Sequence, residues 1–463
     1  MIEKEGDNVQ LLKAKKIDAT QGSLVPLIVS FAVPLILSTL VQTLFNAVDI
    51  AVLGQMADTT AVASVGATTT IVHLIIDAFV GLSSGAKIVL SRLFGKKDEE
   101  ALRKTVDTSL LMALGLGLLV AALGFSLAPT FMRVVDCPAE CFDGAVLYIR
   151  IYILAAPAVL LYNFGAAVLM SSGDTRRPLY YVIASGVLNA VLNVILCLIL
   201  PQKVAAVAIA TASSQVLAAT LVMIRLCRME GNLRVRIRRM RFHFGSFKQL
   251  LRFGVPVSLQ TLIYPLANLQ IVSAINSYGV AGVAGNSASS TVEQMVTAFR
   301  NAFGTATATF MGQNLGAEKK ERVRGSLFHN LWLSLSVGAV VGLSVWATAP
   351  WWLRIFLGND TEAIAYGTTR ITIMMAAQDF AVLNAVFGHA IQAFGYPVFS
   401  TVNAVTWVLG FRIFWMAFVY PAAPSYASLI MCFAVSWVLT ALCNIVILSV
   451  LYSRYRHGKY KRI

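Results

Sequence analysis

The stretch FAVPLILSTLVQTLFNAVDIAVLG, at residues 31–54, is long and apolar enough to cross a bilayer as a helix. Its only charged side chain is Asp49. A carboxylate at the centre of a membrane helix costs roughly 2.5–3.5 kcal/mol on insertion scales, so such a residue usually faces a bundle interior or a water-filled cavity. Asp49 is therefore predicted to be a functional residue. The alternative is that it lies at headgroup level near the end of the span.

The composition extends this prediction to the whole chain. Of 463 residues, 57% are hydrophobic and 13% are charged, and the mean hydropathy is +0.73. Soluble domains carry about 25% charged residues, and the apolar segments here are too long for barrel strands. The chain is therefore predicted to be an all-α integral membrane protein. We count twelve spans, at 24–53, 61–91, 105–128, 144–172, 178–200, 204–227, 250–277, 281–312, 326–349, 364–395, 397–420 and 427–451.

The distribution of lysine and arginine predicts the orientation of these spans. Basic residues concentrate in both tails and in every even-numbered loop, whereas the odd-numbered loops hold little beyond Arg133, Lys203 and Arg354. By the positive-inside rule, both termini are cytoplasmic and the chain is a multi-pass protein of the inner (plasma) membrane. The net charge of +15 then reflects topology and contact with anionic lipids, and we expect no nucleic-acid partner.

The two halves of the chain resemble each other. Short motifs recur at offsets of 219 to 222 residues: FAVP and FGVP, SRLFGKKDEE and GQNLGAEKKE, YIRI and TTRI, SSGDTRRP and AFGYP. Six spans per half is an even number, so both halves enter the membrane in the same sense, as a parallel repeat of the kind found in transporters. The predicted domains are a cytoplasmic N-terminal tail, an N-lobe, a basic cytoplasmic linker, a C-lobe and a cytoplasmic C-terminal tail, at 1–23, 24–227, 228–249, 250–451 and 452–463.

Four polar side chains are predicted to share the outer half of the N-lobe. At about 1.5 Å per residue from the span ends, Asp49, Asn193 and Thr211 lie roughly 7 to 12 Å deep. Asn189 lies one turn from Asn193 on the same helix face. Their oxygens suit a hard cation, or a proton on Asp49 with hydrogen-bond partners. The four are predicted to form a coupling-ion site, although the asparagines and the threonine could instead only hold helices together.

Five further charged residues within the spans are candidates to line a cavity: Asp77, Glu293, Arg300, Asp379 and Arg412. Glu293 and Arg300 are seven residues apart on one helix face, and either line the cavity or pair with neighbours. Arg412 aligns with Asn193 when the repeats are superposed through Pro178 and Pro397. The C-lobe is therefore not expected to bind a cation as the N-lobe does.

The chain carries no enzyme signature. It contains no P-loop, no HExxH and no GxSxG motif. We expect no catalytic residues, no cofactor and no metal other than a sodium ion that Asp49 could hold. Transport is then driven by an H⁺ or Na⁺ gradient, or is passive. Cys137 and Cys141 share a loop, and a disulfide between them is left open.

Six motifs together point to a known family: NAVDIAVLG in span 1, SRLFGKKDEE after span 2, SSGDTRRPL before span 5, GVLNAVLN within it, AIATASSQ in span 6 and GQNLGAEKKER after span 8. Over residues 24–451 the chain resembles the multidrug and toxic compound extrusion (MATE) family, in its prokaryotic branch related to DNA-damage-inducible protein F. The resemblance implies a MATE/MOP-type fold with two six-helix lobes, a V-shaped central cleft and alternating access. It also implies efflux of cationic or amphiphilic compounds in exchange for protons or sodium.

By position, the resemblance assigns the coupling ion to Asp49, with Asn189 and Thr211 as polar partners. Asn193 is a departure, because members with a well-defined cation site often have Asp there. A single carboxylate weakens the case for tight sodium binding, and protonation of Asp49 alone is the alternative. The predicted function is a multidrug efflux antiporter, acting as a monomer on small organic substrates in the lipid bilayer. The alternatives are a flippase for a lipid-linked precursor, and a channel or a non-transporting sensor.

Overall fold

The computed structural model describes residues 17–56, 59–229 and 234–458, without the side chains of Asn46, Ile50, Ala51, Thr59 and Thr70. The predicted tails before residue 17 and after residue 458, and residues 230–233 of the predicted linker, lie outside these ranges. All regular elements in these ranges are helical, which confirms the all-α fold. The physical reason is that a helix satisfies its backbone hydrogen bonds internally, as hydrocarbon requires.

The chain forms two compact units. Unit 1 comprises Met1–Gly22 and Val33–Leu251, and unit 2 comprises Ser23–Ala32 and Arg252–Ile463. The predicted lobe boundaries at 24 and 250 differ from this division. Residues 24–32 belong to unit 2, where the Phe31 ring packs edge-on against Phe310 at 5.5 Å. The end of the predicted basic linker belongs to unit 1, where the backbone amide of His243 donates to Thr108 at 3.1 Å.

Seven helices begin before the basic segment: α1 (Leu24–Met56), α2 (Thr59–Lys96), α3 (Glu99–Val134), α4 (Ala139–Ile153), α5 (Ala156–Ser171), α6 (Arg176–Ile199) and α7 (Lys203–Cys227). Nine follow it: α8 (Phe244–Ile275), α9 (Gly279–Gly316), α10 (Lys320–Ala347), α11 (Ala349–Leu357), α12 (Thr361–Ala376), α13 (Gln378–Ala393), α14 (Pro397–Ala404), α15 (Phe411–Phe414) and α16 (Tyr426–Arg456). Two π-helical segments, Val405–Gly410 and Trp415–Val419, flank α15.

Nine helical stretches of the described residues are long and apolar enough to cross a membrane, or eleven if each of two bent pairs counts as one span. One of the nine runs over Phe244–Gly316. At 1.5 Å per residue it is about 110 Å long, against a bilayer core of about 30 Å. It contains α8 and α9, and counting these separately gives the twelve spans that the sequence predicts.

The bent pairs occur at corresponding places of the two repeats. The chain turns by 48° between α4 and α5 and by 49° between α12 and α13. Pro157, in the first turn of α5, has no backbone N–H to donate, and the start of a helix is where a missing N–H costs least. Each unit therefore holds one broken span.

Glycine lets α3 and α5 approach to backbone contact within unit 1. A Cβ added at Gly117 would lie 2.4 Å from Cα and 2.9 Å from N of Pro157, both backbone atoms. A Cβ added at Gly115, half a turn away, would have no heavy atom within 4 Å. Small residues at such crossings bring membrane helices together, because close packing replaces the hydrophobic effect as the driving force.

We expect Gly117→Ala to destabilise the protein by about 1–3 kcal/mol, because overpacking a close contact forces backbone shifts. The measurement is the thermal unfolding temperature of purified protein in detergent. Gly115→Ala is the matched control, since it adds the same methyl group to the same helix in open space. Equal unfolding temperatures for the two variants would contradict the close approach of α3 and α5.

Candidate functional site

Three helices of unit 1 bring the four predicted polar side chains together. Asn193, on α6, donates to Asp49 Oδ1 on α1 at 2.5 Å. Asn189, one turn earlier on α6, lies 3.4 Å from Thr211 Oγ1 on α7. Asn193 is fully buried and Asn189 is 5% exposed. Buried polar groups of this kind are hydrogen-bonded, because an unpaired one is costly away from water. The structure thus places all four in one cluster, while their role in ion binding stays a prediction.

The amide of Asn189 contacts the carboxylate directly. When its nitrogen faces Asp49, it donates to Oδ1 at 2.5 Å and to Oδ2 at 3.3 Å. With the nitrogen on this side, Asn189 is a donor to the carboxylate, so the geometry fits an ionised Asp49, which only accepts hydrogen bonds.

A tyrosine that the sequence analysis did not single out joins this cluster. The Tyr148 hydroxyl, on α4, is close enough to interact with both Thr211 and Asp49. Its ring stacks on that of Tyr152 at 6.1 Å with an interplanar angle of 5°. The signal in the sequence for this position is the pair of tyrosines one turn apart within one span.

The other predicted carboxylates lie elsewhere. Asp77 is half-buried on α2 and interacts electrostatically with His73. Asp379 is exposed in the first turn of α13. Glu293, on α9, is bound by Arg370 of α12, with Nη2 of the arginine 2.7 Å from Oε2 of the glutamate. Of the two interpretations left open for Glu293, pairing with a neighbour is therefore the one that the geometry favours.

Unit 2 presents a guanidinium group where unit 1 presents the amide of Asn193. Arg412, the repeat mate of Asn193, is 2% exposed on α15. Its Nη1 donates to Oδ1 of Asn268 on α8 at 2.5 Å, and its Nε and Nη2 both lie 3.2 Å from Oγ of Ser436 on α16. Arg300 of α9 donates to Thr297 at 3.2 Å. A guanidinium cannot accept a hydrogen bond or ligate a cation, so this place in unit 2 differs chemically from its counterpart.

Metal-ligating groups are not assembled in the part of the chain that the structure describes. No group of three or more His, Cys, Asp or Glu side chains there could hold a metal ion. All six cysteines are free thiols, including Cys137 and Cys141.

Comparison with known proteins agrees with this architecture. The MatE family model matches residues 34–195 and 256–416, one stretch in each repeat. The chain is 25% identical over 391 residues to the "Probable multidrug resistance protein YpnP" of Bacillus subtilis, covering 82% of this chain and 85% of that protein. It is 24% identical over 365 residues to the "FAD transporter" of Shewanella oneidensis, covering 77% and 80% respectively.

The fold matches solved structures as well. A MATE protein solved in complex with MaL6 superposes with a TM-score of 0.89 at 19% identity, covering 96% of this chain and all of that one. The all-α fold with its internal repeat is thus the MATE fold. Since the family model covers most of the sequence, the chain belongs to the MatE family of multidrug and toxic compound extrusion proteins, which are membrane transporters and not enzymes.

Proposed function

We propose that this transporter is a proton-coupled antiporter that exports an amphiphilic organic compound by alternating access. Asp49 carries the proton, assisted by Asn189, Asn193 and Thr211. The protein resides in the inner membrane with both termini in the cytoplasm, as the placement of its basic residues supports. The observation that carries the proposal is the contact of a half-buried lone carboxylate with two buried amides, at 2.5 Å each, inside a membrane-spanning unit.

The donors around Asp49 favour a proton over sodium. Hard cations prefer a shell of oxygen ligands, whereas Asn193 turns an N–H group toward the carboxylate. Asn189 likewise turns an N–H group toward the carboxylate. Sodium is the competing ion, because the side-chain oxygen of Asn193 has no hydrogen-bond partner among the described residues and would be a ligand.

Proton binding would loosen the connection between α1 and α6. The ionised carboxylate of Asp49 is bound by the amides of α6, and charge-assisted hydrogen bonds are roughly twice as strong as neutral ones. A proton removes that charge, and with it the cost of holding a carboxylate in hydrocarbon. The proton can therefore shift the balance between two conformations of unit 1, since a ligand acts on an equilibrium through its differential affinity for the two states.

The names of the relatives point to different cargoes: one is named as a multidrug resistance protein and another as an FAD transporter. We therefore propose only the class of the cargo, an organic amphiphile. The family resemblance implies a cationic cargo, and ethidium is the cationic compound used to test this. Flipping of a lipid-linked precursor stays the alternative, supported by the buried arginines of unit 2.

The test is efflux from liposomes that contain the purified protein and are loaded with ethidium or norfloxacin. An inward proton gradient and an inward sodium gradient are imposed separately. We expect efflux under the proton gradient alone, and its loss when a protonophore collapses that gradient. Efflux under the sodium gradient alone would reassign the coupling ion. Retention of both compounds under either gradient, as in protein-free liposomes, would contradict multidrug efflux.

A further inference from the structure

Unit 2 contains a buried cluster of three arginines and one glutamate. Arg412 and Arg370 are 2% and 6% exposed, and Arg300 is half-buried. They come from α15, α12 and α9, which are distant in sequence but lie together around α16. Ionisable residues inside a membrane protein are costly, and they commonly mark the path or binding site of a substrate.

The positive charge of this cluster exceeds its negative charge. Glu293 pairs with Arg370 at 2.7 Å, with the carboxylate side chain 17% exposed. Among the described residues, no carboxylate lies within 4.0 Å of a nitrogen of Arg300 or Arg412. Arg412 is bound instead by the neutral oxygens of Asn268 and Ser436. The cluster therefore keeps a net charge of about two positive units in a water-poor environment.

Two aromatic rings of α16 tie the three guanidinium groups together. Phe433 lies under Arg412 at 4.5 Å and under Arg370 at 5.3 Å, measured from the guanidinium carbon to the ring centroid. Trp437, one turn further, lies under Arg300 at 5.5 Å. Such contacts contribute about 0.5–2 kcal/mol each, which offsets only part of the cost of a buried charge. They hold the guanidinium planes while leaving hydrogen-bond donors at the edges.

Some of these donors have no partner. Nη1 of Arg300 and Nε of Arg370 are buried without a hydrogen-bond partner among the described residues. A buried donor without a partner costs about 1–3 kcal/mol, and more when it is charged. The cluster lacks hydrogen-bond acceptors. A group with several acceptor oxygens and a negative charge would accept from the unpaired donors and neutralise the net positive charge.

The backbone around Arg412 is unusual in the same place. The single turn α15 lies between π-helical segments at 405–410 and 415–419. π-helical turns are rare and frequently occur at functional sites. Each π-helical segment adds a residue to a helical turn and so rotates the side chains that follow it. The direction of the Arg412 side chain therefore depends on these two segments. This backbone feature is independent of the charge count.

We propose that Arg300, Arg370 and Arg412 form an anion-binding site that takes the phosphate or carboxylate group of an organic molecule. Guanidinium groups bind both anions with paired N–H donors. Arg300 and Glu293 are the more exposed members of the cluster. As a cargo site, the cluster rests on the proposed export function, and it adds compounds with an anionic group to the cationic cargo that the family resemblance implied.

The test compares two ligands that share one aromatic body and differ in charge. 1-Naphthyl phosphate and (1-naphthylmethyl)trimethylammonium are titrated into purified full-length protein by isothermal calorimetry. Wild type is expected to bind the phosphate at least tenfold more tightly than the ammonium compound. Arg300→Gln and Arg412→Gln are expected to weaken phosphate binding at least tenfold. Arg150→Gln is the matched control, because Arg150 stacks over Phe125 at 5.2 Å in unit 1.

Arg300→Gln keeps the test decisive if Arg412→Gln does not fold, because the described hydrogen bond of Arg300 stays within one turn, to Thr297. Equal binding of both ligands, or unchanged phosphate binding by the folded Arg300 variant, would overturn the proposal. Nanodiscs with and without phosphatidylglycerol separate the sources of the anion. If phosphatidylglycerol weakens the binding of 1-naphthyl phosphate, the site takes a lipid headgroup. If binding is the same with and without this lipid, the site takes a soluble anion. The titration uses no ion gradient, so its outcome is independent of proton-driven efflux.

Discussion

Asp49→Asn is expected to reduce proton-driven efflux to the level of protein-free liposomes. Asparagine keeps the size and the hydrogen-bonding capacity of the side chain, but it cannot take up and release a proton. The two amides that contact Asp49 at 2.5 Å would then face a permanently neutral group. The ionised state, which alternates with the protonated one during proton exchange, is lost. The measurement is ethidium or norfloxacin efflux from liposomes under an inward proton gradient.

Two controls accompany this variant. Asp77→Asn removes a half-buried carboxylate of the same unit, from α2, and is expected to retain gradient-driven efflux. Exchange of labelled for unlabelled compound without any gradient reports whether the Asp49 variant still binds and moves cargo. If the Asp49 variant pumps as wild type does and the Asp77 variant does not, the coupling site lies on α2 and the assignment to Asp49 is wrong.

Glu293→Gln is expected to destabilise the protein by about 3–5 kcal/mol, because removing one partner of a buried ion pair leaves the other charge uncompensated. The Arg370 guanidinium would keep the Asn286 oxygen at 2.9 Å but lose its carboxylate. The measurement is unfolding of the purified protein by sodium dodecyl sulfate, followed by tryptophan fluorescence.

Glu362→Gln is the control for this prediction, because it makes the same substitution at an exposed position in the first turn of α12. An exposed acid at a helix start contributes about 0.3–1 kcal/mol. The double variant Glu293→Gln with Arg370→Gln is expected to recover part of the loss, since it removes the unpaired charge. If the Glu293 variant were no less stable than the Glu362 variant, the ion pair would make no net contribution.

The polar cluster around Asp49 could be predicted from the sequence because the depth of a residue and its helix face follow from counting. The ends of the spans set the depth of Asp49 and Thr211, and the four-residue spacing of Asn189 and Asn193 places them on one face. Tyr148 was missed for a physical reason. A tyrosine in a span is compatible with packing, an interface or a site, and only its contact with α7 distinguishes these possibilities.

By itself, the sequence determined the helical class, the internal repeat and the different side chains, an amide and a guanidinium, at the matching positions Asn193 and Arg412, since these depend on composition, period and alignment. Only the tertiary structure decided that Glu293 pairs with Arg370 of another helix and not with Arg300 of its own. A Cβ at Gly285 of α9 would lie 2.3 Å from the Ala363 carbonyl oxygen of α12, so these two helices touch through their backbones. Periodicity places a side chain on a face, but close approach of this kind, between residues far apart in sequence, selects its partner.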